Sequence, residues 1–87
     1  MIVRIPGLLL SYTGGARVVE LPPQATLGDA LRELDARFAG FRFRIIDEQD
    51  AIRPHIKLFV DGVIARDLSA RISTAQELMI VGALSGG

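Results

Sequence analysis

The segment from Thr26 to Phe38 limits what this chain can fold into more than any other stretch. Leu27, Ala30, Leu31, Leu34 and Phe38 fall at i, i+3, i+4, i+7 and i+11, so all five share one side of an α-helix and must face a core. Asp29, Arg32, Glu33 and Arg37 take the wet side, with Glu33 and Arg37 placed as a favourable i,i+4 pair. Thr26-Leu27-Gly28-Asp29 has the form of a capping box, Thr26 as N-cap and Asp29 at N3. Gly40 stands where a left-handed residue ends a helix, and Phe41 behind it is positioned to fold back on the last turn. The aromatic group Phe38, Phe41 and Phe43 then reads as a satellite of the core. One striped helix buries one face, and the layer it packs on has to come from the rest of the chain.

That rest alternates with the period of strands. In Met1 to Ile5, Val3 and Ile5 share one face while Ile2 and Arg4 share the other. Pro6-Gly7 stops this run, Leu8-Leu9-Leu10 follows, and Thr13-Gly14-Gly15 supplies the positive φ of a reversal before Arg17 to Leu21 alternate again. Pro22-Pro23 closes the second strand. From Ile45 to Pro54 the pattern lapses into a loop with the acidic run Asp47-Glu48-Gln49-Asp50, which lacks the glycine and terminal glutamate of a calcium loop. His55 to Val60 resumes alternation, with Ile56, Leu58 and Val60 on one face. Asp61-Gly62 is a tight-turn signal leading into Val63-Ile64-Ala65. An irregular crossover runs from Asp67 to Thr74, and Glu77 to Leu84 reads as a last strand with Leu78 and Ile80 inward and Met79 and Val81 outward. The order β-β-α-β-β-β predicts an α+β pair of layers, one helix on one sheet face.

Composition removes several function classes. Ten basic and ten acidic side chains cancel, which takes away the electrostatic footprint of a nucleic-acid binder, although Arg37, Arg42, Arg44 and Arg53 cluster locally. Cysteine is absent, and with it disulfides, iron–sulfur ligation, thiolate zinc sites and any cysteine nucleophile. His55 is the single histidine, so no convergent set of metal donors is visible. Gly14-Gly15 lacks the G-x-x-x-x-G-K-[ST] frame of a phosphate loop. No apolar run approaches the roughly 18 residues of a membrane span and Met1-Ile2-Val3-Arg4 is not laid out as a signal peptide, so the expectation is a cytoplasmic protein without a membrane partner.

Two features then point outward. The sheet face away from the helix is left uncovered, and Phe59, Met79 and Val81 group on it as a candidate docking surface. The last strand runs straight into Ala83-Leu84-Ser85-Gly86-Gly87. The expected organisation is a folded domain at 1–82 and a flexible tail at 83–87. Five extended residues reach some ~17 Å, and two terminal glycines bring no Cβ into a narrow channel, so the Gly87 carboxylate can be presented inside another protein.

These segments together resemble the ubiquitin-like β-grasp sulfur carriers, the family of the small subunit of molybdopterin synthase and of the thiamine-pathway carrier. The resemblance is carried by VVELPPQATLGDALREL at 18–34, LFVDG at 58–62 and the closing ALSGG, and it spans nearly the whole chain. The IPGLLLSYTGG opening at 5–15 and the long loop before the third strand look most like the carriers that serve cysteine synthesis or related sulfur-donating pathways. The chain departs from the family at Thr74-Ala75-Gln76, where Asp-Gly-Asp is common, and at Gly82, where proline is frequent.

The resemblance implies a β-grasp fold with a mixed sheet of four to five strands on one main helix. It also implies a carrier rather than an enzyme: an E1-like adenylating and sulfur-transferring partner spends ATP to activate Gly87, and a sulfur donor displaces AMP to leave a thiocarboxylate. Gly86 permits access, Leu84 and Ser85 line the partner's channel, and a downstream synthase accepts the sulfur. This chain itself would bind no cofactor and no metal. A carboxylate with a pKa of about 3.5 is ionised and a poor electrophile at neutral pH, which is why activation must come first.

Other uses of the same features stay open. The fold suits the small subunit of molybdopterin synthase, or a ubiquitin-like modifier joined to lysines. A small α+β hydrolase of acylphosphatase type would want asparagine beside arginine, and asparagine is absent. A non-reactive interaction domain would make the glycines incidental.

Overall fold

The computed structural model describes residues 1–82. Strand β1 (Ile2–Arg4) pairs antiparallel with β2 (Val18–Glu20), and the connection between them is a 3-10 turn at Gly7–Leu9 followed by a reversal in which Gly14 and Gly15 take φ of 64° and 89°. The main helix α1 (Leu27–Arg37) follows, then a second, one-turn helix α2 (Phe41–Ile45). Strands β3 (Ile56–Val60), β4 (Val63–Ala65) and β5 (Glu77–Gly82) complete a five-stranded sheet in the order β2-β1-β5-β3-β4. Only the β1–β5 pairing is parallel among the described strands, so the sheet is mixed and the last strand sits in its middle.

The helix forms where its stripe requires. Thr26 is extended and its Oγ1 accepts the Asp29 amide hydrogen at 3.2 Å, while Leu27, Ala30, Leu31 and Leu34 are fully buried. The box is half made, because the Asp29 carboxylate turns to Arg32 at 3.1 Å. Glu33 and Arg37 meet at 3.0 Å, and Phe38 packs half-buried at the edge of the core. From the sheet come Val3, Val19, Leu58, Leu78 and Ile80, all facing the helix, as alternation predicts.

The second helix was not expected, and it takes in Ile45, the first residue of the expected loop at 45–54. Phe41, Ile45 and Ile46 are wholly buried, and Phe41 is a centre of the core rather than a satellite; Tyr12 meets it edge-on at 6.3 Å and Phe38 lies 6.2 Å away. Gly40 does take the left-handed conformation, with φ of 90°, but it serves as the N-cap of α2. Gly40 has no side chain to cap with, and Asp35 of α1 supplies the missing acceptor by taking the Arg42 amide hydrogen at 3.0 Å. Phe43 alone of the aromatic trio points to solvent, 53% exposed beneath the Arg53 guanidinium at 4.6 Å.

Asp61-Gly62 makes the two-residue turn between β3 and β4, with φ of 48° and 83°. The Asp61 carboxylate also accepts the Gln76 and Glu77 amide hydrogens at 3.0 and 2.9 Å, and its own amide donates to the Glu77 carbonyl. This one side chain fixes the start of β5, directly after Thr74-Ala75.

Candidate functional site

The outer face of the sheet is built by register. Met79 on β5 lies beside Arg4 on β1 and Phe59 on β3, and Phe59 lies beside Ile64 on β4. One step along, Val81 lies beside Lys57; on the far side Arg4 lies beside Val18 and Ile2 beside Glu77. Because strand side chains alternate, these residues share the face opposite the helices. Phe59, Met79 and Ile64 are half-buried, whereas Ile2, Val18 and Val81 are 40%, 48% and 39% exposed. The structure therefore brings Phe59, Met79 and Val81 together as the sequence predicts, and adds Ile2, Val18 and Ile64 to the same apolar surface. Large apolar groups collected on one open sheet face mark a place where another macromolecule can dock.

Charge frames this surface without interrupting it. Arg4 Nε and Glu77 Oε2 stand 2.6 Å apart, an exposed pair of the kind that contributes at most about 1 kcal/mol. Lys57 flanks Val81. Met79 and Val81 sit on β5, so the apolar surface adjoins Gly82, the last of the described residues. Leu8, 37% exposed, rests over Gly82, and no other residue would leave it that room. Leu84, Ser85, Gly86 and Gly87, the remaining predicted site residues, lie outside the described residues.

Elsewhere the chemistry is sparse. Among the described residues no cluster of three histidine or carboxylate side chains is arranged to hold a metal ion. No helix among the described residues is long and apolar enough to cross a membrane. The arginines that cluster in sequence take different partners: Arg37 ties Glu33 to the Glu20 carbonyl, Arg44 lies over Tyr12, Arg53 donates to the Phe43 carbonyl, and Arg42 reaches Asp50. Asp47 and Asp67 have carboxyls held below the usual carboxylate range by hydrogen bonds, from the Ala51 and Gln49 amides and from the Ser69 amide and hydroxyl respectively. Both aspartates organise loops away from the outer face.

Sequence reasoning missed Ile64 and Val18 as members of the face, and Leu8 as the cover of Gly82. Alternation assigns a side only within a strand; which residues become neighbours depends on register, and β1–β5 parallel pairing has no local signal.

The profile of the ThiS family matches residues 3–87. Among solved structures, a chain of the BexX/CysO complex of Amycolatopsis orientalis superposes with a TM-score of 0.87 at 28% identity, covering 99% of this chain and 98% of that one. SAMP1 of Haloferax volcanii gives 0.77 at 26% identity over 100% and 98%. CysO of Mycobacterium tuberculosis gives 0.84 at 24% identity over 95% and 98%, and shares the fold. No curated protein matches the chain by sequence.

Proposed function

Because this chain belongs to the ThiS family, with the ubiquitin-like β-grasp fold, we propose that it is a sulfur carrier whose Gly87 carboxylate is activated and thiolated by partner enzymes. The observation that carries the reading is the placement of the apolar outer face on the same strand that leads to the C-terminal glycines. Met79 and Val81 grip a partner, and β5 then delivers the chain from Gly82 into that partner's active site. The body gives orientation and the terminus gives the reacting atoms.

The chemistry needs two displacements. The Gly87 carboxylate oxygen attacks the α-phosphorus of ATP on an E1-like enzyme and pyrophosphate leaves, giving an acyl adenylate. Hydrosulfide, or an equivalent sulfur donor, then adds to the carbonyl carbon and AMP leaves with the C–O electron pair, giving a thiocarboxylate. A downstream synthase accepts the sulfur, and water or hydroxide restores the carboxylate. Gly86 and Gly87 leave the approach to that carbon unobstructed, and Leu84 and Ser85 contact the channel. Phe59 completes the gripping surface beside Met79. In this scheme the chain is a co-substrate and not an enzyme, holds no cofactor, and acts in the cytoplasm on a product such as cysteine or another sulfur metabolite. The small subunit of molybdopterin synthase would use the same terminus.

The likeness to SAMP1, a small archaeal modifier protein, favours a second use of the same activated terminus, transfer to a lysine of another protein. Incubation with the activating enzyme encoded in the same genome, ATP and sulfide, followed by intact mass measurement, tests the first. The expected product gains one sulfur-for-oxygen exchange, and a variant lacking Gly86-Gly87 gains nothing. Adenylation without any sulfur gain, ending in a lysine conjugate, would replace the carrier by the modifier.

A further inference from the structure

A cleft of about 890 Å³ opens between the start of α1, the 50–54 loop, the β3–β4 hairpin and the 66–69 loop. Its rim carries Arg32, Arg42, Arg53, Lys57 and Arg66. These are five of the chain's ten basic residues, set against only Asp50 and Asp67 of its ten acidic ones, on a chain whose formal net charge is zero. Ile52, Ile64 and Leu68 give the cleft an apolar lining, each of them half-buried. A neutral protein has thus gathered half its cations around one partly apolar groove.

Arg32 meets Asp29 at 3.1 Å, Arg53 donates to the Phe43 carbonyl and Arg42 reaches Asp50, which leaves two of the five cations without an internal partner. Among the described residues Lys57 and Arg66 are exposed and have no carboxylate partner within ion-pair distance. Arg42 meets Asp50 at 3.2 Å through one terminal nitrogen, and its Nε has no acceptor. The cleft also borders β4, one of the two edge strands of the sheet, whose outer backbone groups have no strand beside them among the described residues. At the start of α1, by contrast, the amides of Leu27, Gly28 and Asp29 are committed to the Ala70 carbonyl, the Leu68 carbonyl and Thr26 Oγ1, so no backbone cradle for a phosphate remains there.

We propose that this cleft docks an extended acidic segment of a partner protein, one in which carboxylates alternate with apolar side chains. The segment lies along β4, its backbone pairing with the free strand edge, its apolar side chains on Ile52, Ile64 and Leu68, and its carboxylates on the cationic rim. This second contact does not involve the chemistry at Gly87. Ile64, which stands beside Phe59 on the outer face, and Lys57, which stands beside Val81 there, also line the cleft and are where the two surfaces meet.

Titration of the full chain, followed residue by residue through amide NMR shifts, decides it. The probes are an alternating Glu–Val octapeptide, an alternating Lys–Val octapeptide and inorganic pyrophosphate. The acidic peptide is expected to shift Ile64, Ala65 and Arg66 saturably, with affinity falling at least about tenfold on raising salt several-fold, and the basic peptide to leave them unmoved. The charge reversals Lys57→Glu and Arg66→Glu, at exposed positions, are expected to abolish the shifts, as is the milder pair Lys57→Ala and Arg66→Ala if the reversals disturb the fold. Equal response to both peptides, silence towards both, or a response to pyrophosphate alone would overturn the proposal.

Discussion

Leu8 lies across the backbone of Gly82: a β-carbon at position 82 would overlap Leu8 Cδ2 and come within 3.2 Å of its Cγ, while Ile56 Cδ1 would sit at an ordinary 3.4 Å. Gly82→Ala therefore forces Leu8 to turn outward. Leu8 is already 37% exposed and can do so, which keeps the cost under about 1 kcal/mol, below the usual range for an overpacked core. In a Leu8→Ala background the obstacle is gone and the same substitution should stabilise by about 0.5 kcal/mol, because alanine restricts the unfolded chain. A double-mutant cycle in urea reads the reversal of sign, and additive effects would refute the contact.

Asp61 holds two backbone amides of the β5 start while itself sitting at φ 48°. Asp61→Ala should cost about 1–2 kcal/mol, from two lost hydrogen bonds to a carboxylate and a strained backbone. Asp61→Asn keeps one acceptor and tolerates the left-handed conformation, so it should cost about half as much. Equal losses in chemical denaturation would mean that the hydrogen bonds contribute nothing.

Phe41 and Phe43 are two residues apart and should respond very unequally to truncation. Phe41→Ala empties a fully buried site and is expected to cost about 3–5 kcal/mol. Phe43→Ala removes an exposed ring and its stacking with Arg53, at about 0.5–1 kcal/mol. In a domain of this size each kcal/mol moves the melting temperature by about 4–8 °C, so calorimetry separates the two.

Met79→Glu and Val81→Glu place charge in the apolar surface without touching the core. Each should lower kcat/KM for thiocarboxylate formation at least about tenfold, while unfolding free energies stay within about 1 kcal/mol of the parent. Glu48→Lys, in the loop distant from that face, is the control. Unchanged kinetics for both face variants would remove the outer face from the proposed route.

Acid should loosen two loops in a definite order of cause. The folded-state carboxyls of Asp47 and Asp67 are held below the ordinary 3.8, chiefly by the Ala51 amide and the Ser69 amide respectively. A depressed folded value means that the stabilisation is present above pH 3.8 and is lost as pH falls through the folded value. Asp47→Asn and Asp67→Asn should therefore flatten the acid limb of the stability curve, as read by amide exchange at 47–51 and 67–69. An unaltered acid limb would show that neither carboxylate is coupled to folding.

Much of this architecture was legible because it rests on local patterns. The stripe from Leu27 to Phe38, the Thr26 cap, the Asp61-Gly62 turn and the in–out alternation of β1, β3 and β5 each need only neighbours in sequence. The segment Phe41-Arg42-Phe43-Arg44-Ile45 was not legible, since its apolar residues alternate as a strand's would, yet it forms a helix that buries Phe41, Ile45 and Ile46. Its cap comes from Asp35, six residues before it starts, and its burial from Tyr12, far away in the chain. Such a helix is decided by tertiary packing over propensity. On the candidate site, Phe59, Met79 and Val81 followed from alternation, whereas the Leu8–Gly82 contact and the cationic cleft required the fold to bring distant segments together.

The central position of β5 also has a mechanical meaning. Tension applied past Gly82 enters a strand flanked by β1 running the same way and by β3 running against it, so both hydrogen-bond ladders are loaded in shear along their length and neither can be opened one rung at a time. A domain wired in this manner can be pulled by its end and still keep its shape.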